Sequence, residues 1–229
     1  MKILVTESQY KKLLKEEEKE QKNLRVPGLD FFHENKWEAW QILQKVLEVR
    51  GNPPYSIGGN LYLEDSPIKS LGNLTSVEGD LFLYNTPIES LENLTSVGGN
   101  LDLEDSPIKS LENLTSVGRS LNLRYTPIES LGNLQSVGGD LDLWDTPIKS
   151  LGNLTSVGGN LFLGGTPIES LGNLTSVGDD LDLRDTPIES LGNLQSVGGF
   201  FSLLRTPLSM MYTEEQIRQM VNVDDKIYL

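Results

Sequence analysis

From Gly58 onward the chain repeats itself every 20 residues. Residues 58–77 read GGNLYLEDSPIKSLGNLTSV and residues 98–117 read GGNLDLEDSPIKSLENLTSV. The template starts at 58, 78, 98, 118, 138, 158 and 178 without insertion or deletion. An eighth copy starts at Gly198, runs through Pro207 and Leu208 and then diverges. A unit this short has too little apolar surface to enclose a core of its own. Successive units must stack and share one, which defines a solenoid rather than a globular domain.

The first unit places its apolar residues at Leu61, Leu63, Ile68, Leu71, Leu74 and Val77. Leu61 and Leu63 are two apart, the spacing of a strand with one face inward. Leu71, Leu74 and Val77 are three apart, which alone would suit a helix. Pro67 lacks an amide proton, Thr75 and Val77 are β-branched, and the segment runs straight into glycines, so a nonhelical return leg of bends is expected instead. Each unit is then one coil: a strand, a turn at Pro67, a return leg and a glycine corner.

The spacing LxxLxxVxxxLxLxx(T/S)xI, carried by Leu71 through Ile88, resembles a leucine-rich repeat. The run SLxNLxSVxGxLxL is closest to the short repeats of receptor L-domains and similar microbial surface repeats. The resemblance covers roughly residues 55–208. It departs from the commonest pattern in carrying Ser66, Thr86 and their equivalents where asparagine is usual, and no convex helix is evident. It implies a curved or twisted parallel sheet and a binding role, without naming a ligand. The expected fold is mainly β: a right-handed leucine-rich-repeat solenoid with one parallel sheet of about nine strands, a helical N-terminal cap, and a short C-terminal capping helix followed by a final strand. The expected divisions are a charged leader at 1–24, a cap at 25–57, the solenoid at 58–208 and a C-terminal cap at 209–229.

Charge narrows the partners. The net charge is -14, and residues 58–197 hold 20 acidic against 6 basic side chains, so all the excess lies in the repeats. A reader of phosphate backbones needs a basic stripe, so nucleic acid and anionic membrane surfaces are not expected partners; a protein partner, a basic one by preference, suits this surface. Cysteine is absent, which excludes disulfides, thiolate metal sites and a cysteine nucleophile. No apolar run reaches the length of a membrane span, and Met1–Val5 is too short for a signal peptide core. A non-secreted, cytoplasmic monomer is expected.

Stacking turns equivalent residues into columns about 4.8 Å apart. Asn73, Asn93, Asn113, Asn133, Asn153, Asn173 and Asn193 form one, expected as a buried ladder satisfying the turn backbone. Five of these asparagines open an Asn-Leu-Thr glycosylation pattern, which the structural role and the expected compartment outweigh. The column from Lys69 to Glu189 alternates in sign until its last step. The column Asp65, Asn85, Asp105, Tyr125, Asp145, Gly165, Asp185 separates its acids by neutral rungs. Both avoid stacking like charges directly, apart from Glu169 beside Glu189 at the last step of the first.

Both ends of a solenoid need covering. Trp37 to Arg50 forms an amphipathic helix with Trp40, Leu43 and Leu47 on one face and Gly51 as its stop. Thr213 and Gln216 form a capping-box pattern opening a helix to about Val221, and Val223 to Leu229 repeats the strand motif, so a ninth strand is expected. Thr6 and Gln9 can cap a helix from Glu7 to about Gln21. The opening ILVTESQYKKLL resembles leader segments of proteins encoded by tailed bacteriophages, which implies a host cytoplasm or a virion as the setting.

Core, proline and asparagine positions hardly change between units; variation collects on the outward side of the strand and just after it. The candidate partner-binding residues there are Tyr62, Phe82, Tyr84, Asp102, Arg124, Tyr125, Asp142, Trp144, Phe162, Asp182 and Arg184. Tyr62, Phe82, Tyr84, Trp144 and Phe162 are the aromatic anchors, because aromatics bury much area at little entropic cost. Asp102, Asp142 and Asp182 would steer a basic partner. The function expected is a non-catalytic protein–protein interaction module using the strand (concave) face. The alternative is a structural component of a virion or surface assembly. Catalysis is not expected: His33, the only histidine, precedes the cap helix, and the carboxylates follow the repeat period instead of converging on one site. No phosphate loop or zinc spacing occurs. Asp140/Asp142 and Asp180/Asp182 offer no compact oxygen-rich loop for calcium. No cofactor or metal is called for.

Overall fold

The computed structural model of the chain describes residues 24–26 and 36–229. The leader helix expected at Glu7–Gln21 and His33 lie outside the described residues. From Tyr55 on, the chain is a stack of coils, and every strand pairs in parallel with its equivalent in the next coil. Leu61 pairs with Leu81, Leu81 with Leu101, and so on along the stack. The inward side chains are almost wholly buried in one continuous core: Leu81, Leu83, Ile88, Leu91 and Leu94 are fully enclosed, and their counterparts repeat this coil after coil.

Among the described residues the strands form two parallel sheets, of nine and ten members. The nine-stranded sheet is the one expected from the Leu-x-Leu segments, running from Leu61–Tyr62 to Ile227–Tyr228. The ten-stranded sheet was not expected and corrects the picture of a single sheet. It is built from two-residue pieces of the return leg, such as Ser96–Val97 and Ser116–Val117, flanked by strands Leu24–Val26 and Tyr55–Ile57 at one end and Asn222–Val223 at the other. The physical cause is the glycine that follows six of these valines, from Val97 to Val197. A Cβ at Gly98, Gly118, Gly138, Gly158, Gly178 or Gly198 would lie 2.0–2.3 Å from the carbonyl oxygen of the coil before it. At these six positions glycine allows so close a pass, while Glu78 and Asp224, at the equivalent place in the first and last coils, still reach the preceding coil's carbonyl at 2.8 and 3.0 Å.

Tight turns close each coil. Asp65, Asn85, Asp105, Tyr125, Asp145, Gly165, Asp185 and Arg205 all have φ between 52° and 73°, the left-handed region that asparagine, aspartate and glycine tolerate best. Turn geometry therefore explains that column's composition directly, with charge spacing as a consequence. Beside it lies the true buried polar ladder. Thr86, Thr126, Thr146, Thr166, Thr186 and Thr206 are buried, and each donates its hydroxyl to the carbonyl three residues earlier at 2.6–2.8 Å. These hydroxyls stand where asparagine is usual in the family resembled. The Asn73 column, expected to be buried, is exposed except for the half-buried Asn73. Its amides reach back from the surface, as Asn113 Nδ2 does to the Glu92 carbonyl at 2.9 Å. The turn backbone it serves is itself at the surface, so no burial is needed.

Helix α1 (Lys36–Val49) covers the first coil. Trp40 and Leu47 are buried, Leu43 packs against the core, and Gln44 donates to the Tyr55 hydroxyl at 3.0 Å, which in turn donates to the Leu71 carbonyl at 2.8 Å. Burial pushes the Tyr55 phenol well above its ordinary value. At the other end are α2 (Pro207–Met211) and α3 (Glu214–Met220), each opened by a complete capping box, from Thr206 with Ser209 and from Thr213 with Gln216. Helix α2 was not expected. Arg218 ties α3 to the final turn by donating to the Val223 and Asp225 carbonyls at 2.7 and 2.6 Å. The expected last strand follows, with Ile227 opposite Phe201.

Candidate functional site

The outer face of the nine-stranded sheet carries three columns of side chains per coil, because residues two apart on a strand share a face. The first column is Asn60, Asp80, Asn100, Ser120, Asp140, Asn160, Asp180 and Phe200. It varies in identity, yet seven of the eight side chains do one job: each oxygen accepts the backbone N–H of its successor at 2.7–3.1 Å. This column is part of the scaffold. Phe200 receives the ladder and cannot extend it.

The second column begins Tyr62, Phe82, Asp102, Asn122, Asp142, Phe162, Asp182 and Ser202. Tyr62 and Phe82 stack, with ring centroids 5.3 Å apart and planes 6° from parallel, and Asn60 donates to the Tyr62 hydroxyl at 2.7 Å. Asp102, Asn122, Asp142 and Asp182 each accept the N–H two residues on, at 3.0–3.2 Å, so one oxygen of each serves its own strand end. Burial pushes the Asp102 and Asp142 carboxyls above the usual carboxylate range. The Glu104 N–H and Asn122 partly offset this at Asp102, and the Trp144 N–H and Arg124 partly offset it at Asp142.

The third column holds Glu64, Tyr84, Glu104, Arg124, Trp144, Gly164, Arg184 and Leu204. Trp144 lies across Gly164, where a Cβ would come within 2.6 Å of the indole, and Arg184 covers the same ring at 5.2 Å from its centroid. Arg184 also grips Asp182 through Nε–Oδ1 at 3.0 Å and Nη2–Oδ2 at 2.6 Å. Trp144, Gly164, Asp182 and Arg184 therefore form one pre-set cluster spanning three coils. Arg124 lies 3.8 Å from Asp142 and packs over the Tyr125 ring at 5.4 Å. Tyr125 stands apart from the columns at the turn, 57% exposed and at φ 56°, an unusual conformation for an aromatic residue.

The structure thus places ten of the eleven expected residues on one face and Tyr125 at its rim. Sequence reasoning passed over Phe200, Leu204 and Tyr228, which extend the face at its C-terminal end. With Phe162, Asp182 and Arg184 they line a cavity of about 300 Å³, and the Phe200 and Tyr228 rings lie 5.9 Å apart at 54°. Phe200 is legible as the one exception in its column, and Tyr228 as the counterpart of Tyr62 in the strand motif that Val223 to Leu229 repeats. A second, shallower groove of about 520 Å³ follows the ten-stranded sheet, lined by serines, valines and glycines from Ser116 to Gly198. Among the described residues no group of three histidine, cysteine or carboxylate side chains is arranged to hold a metal ion, and no helix is long and apolar enough to cross a membrane.

The fold and face define the chain as a parallel β-solenoid of regular 20-residue repeats. Compared with protein-family models, curated proteins and solved structures, the chain matches none.

Proposed function

We propose that this chain is a non-catalytic protein-interaction module that holds a protein partner, a basic one by preference, against the outer face of its nine-stranded sheet. The observation that carries this reading is the contrast between dictated and undictated positions. Turns, glycines, hydroxyls and the Asn60-type column all answer to the backbone, while the second and third columns vary in size and chemistry, with only some second-column side chains accepting an N–H at their own strand ends. There they collect Tyr62, Phe82, Tyr84, Trp144 and Phe162 among carboxylates. Aromatics on a polar, rigid surface are the composition of interface centres. The resemblance of the repeats to leucine-rich repeats, whose strand faces bind partners, agrees with it. The setting in this reading is the cytoplasm, a host cytoplasm or a virion by the resemblance of the opening residues to phage-encoded leaders, and the chain acts as a monomer. Capture from bacterial lysate tests this: the wild type retains a partner and the folded Tyr84→Ala/Trp144→Ala double variant loses it. Unchanged capture by the variant sinks the reading.

A second reading, a structural component of an assembly, draws on one observation. Met210, Met211 and Met220 are exposed in the two C-terminal helices, Met210 at 86%. Light scattering separates the two, since end-on assembly gives a mass that grows with concentration and a binding module gives a constant monomer mass.

A further inference from the structure

The repeat makes each coil a control for the others. Most departures from the template are answered by a partner within the chain. Glu78 stands where later coils carry glycine and receives two hydrogen bonds of 2.7 Å from Arg25. Glu92 occupies a left-handed turn position that is otherwise mostly glycine, and Ser70 donates to it at 2.6 Å. Gly164 makes room for the Trp144 ring. Phe200 and Leu204 are different. Phe200 ends a ladder in which Asn, Asp or Ser would continue to serve, and Leu204 ends a column that is otherwise polar, aromatic or glycine. Both are 39% exposed. Together with Phe162 and Tyr228 they wall the 300 Å³ cavity, beside the nearly buried Asp182, 5% exposed, and its Arg184. Phe200 gains the tilted Tyr228 ring at 5.9 Å, but both departures give up the repeat's own pattern to wall an open cavity, which marks a place where something other than folding sets the residues.

We propose that this cavity is the anchor subsite of the strand face and takes a large apolar side chain from an extended, cationic segment of the partner protein. The inference rests on the reading of that face as partner-binding and adds where the partner is gripped and by what. The walls supply the apolar half of the argument and charge supplies the other. Asp182 is neutralised by Arg184, and Arg124 reaches Asp142 only at 3.8 Å. Among the described residues no lysine or arginine forms an ion pair with Asp102 or Glu104, so this stretch of the face is left negative. Coils advance about 4.8 Å each, which puts Asp142 about 10 Å and Asp102 about 19 Å from the Asp182 rung. An extended chain gains about 3.3 Å per residue, so cations fit about three and about six residues from the apolar anchor. Burial of the Asp102 carboxyl, which raises its proton affinity, is relieved by an arriving cation.

The probe is a fluorescein-labelled seven-residue peptide with tryptophan first, arginine fourth and seventh, and serine elsewhere, titrated against the full chain by anisotropy at low salt. Controls replace the tryptophan by serine or both arginines by glutamate. The chain variants are Leu204→Ser and Phe200→Asn; the latter restores the ladder acceptor and so keeps the fold. Each change in peptide or pocket is expected to weaken binding at least ten-fold, with thermal unfolding unchanged. Equal affinity for the glutamate peptide overturns the cationic assignment. Binding unchanged in both pocket variants but lost in Tyr84→Ala/Trp144→Ala overturns the anchor assignment while the broader face reading stands. No binding of the probe overturns the subsite proposal, and the broader reading is then decided by the lysate capture alone.

Discussion

The two sheets run side by side through the same coils with the same parallel pairing, yet their outer faces could hardly differ more. The ten-stranded face shows Ser96, Ser116, Ser136, Ser156, Ser176 and Ser196 in one unbroken column beside stacked glycines. The nine-stranded face shows Tyr62, Phe82, Asp102, Asn122, Asp142, Phe162, Asp182 and Ser202 in the equivalent position. The first is uniform because backbones pass too closely for any Cβ at the glycines. The second has room, and what fills it is large and chemically diverse. Uniformity marks where the solenoid is specified; diversity marks where the scaffold leaves a choice to be made for another purpose.

That contrast can be broken in order of expected effect. Gly138→Ala drives a Cβ to 2.2 Å from the Gly118 carbonyl, so it should cost about 3 kcal/mol or more in denaturant unfolding. A cost below 1 kcal/mol would show the close pass to be soft. Thr146→Val removes a buried hydroxyl that donates to the Leu143 carbonyl at 2.8 Å and should cost about 1–2 kcal/mol. Asn160→Ala removes the acceptor of the Asp180 N–H and the Nδ2 bond to Asp140, leaving the backbone N–H of residue 160 on Asp140, and should cost about 1 kcal/mol. Phe162→Ala and Tyr84→Ala, on the diverse face, should fall near 0.5 kcal/mol. Reversal of that ranking would end the distinction between the faces.

Acidity sharpens the comparison, because Asp102 and Asp142 on the diverse face are held against burial even though one oxygen of each accepts a strand-end N–H. Asp102 is raised by burial, with Glu104 adding like charge. The folded chain therefore binds its proton more tightly than the unfolded chain does. The resulting stability is complete below the ordinary carboxylate range, near pH 4, and is lost as pH rises through the raised folded value. Asp102→Asn should accordingly unfold at a higher temperature than wild type at pH 7, with the gap closing as pH falls below about 4. A gap that widens on acidification would mean that the carboxylate is a stabilising partner.

Much of this was legible beforehand, for reasons visible in particular residues. Seven copies in register fix a stack, and Val223 to Leu229 repeats the strand motif closely enough to announce the final strand across a longer coil. The capping box at Thr213 and Gln216 marks α3 at the level of side-chain chemistry. The second sheet was hidden because Ser-Val pairs are too short to show any alternation. The Asn60-type ladder was hidden because Asn, Asp and Ser look like surface drift until their shared ability to accept an N–H is set against the backbone. Conversely, Asn73 and its equivalents recur so strictly that burial is the natural expectation, while the turn they serve lies at the surface. The mutual pairing of Trp144 with Arg184 over Gly164 joins three coils, and no spacing along the chain reveals it.

Hydroxyl-radical footprinting of the chain with and without its captured partner tests most directly whether the diverse face is the working one. Protection of Tyr62, Phe82, Tyr84, Trp144 and Phe162, with Tyr212 beside Leu208 in the C-terminal cap unchanged, is the predicted result. Protection confined to the C-terminal methionines Met210, Met211 and Met220, with those five aromatics as reactive as in the free chain, would contradict it.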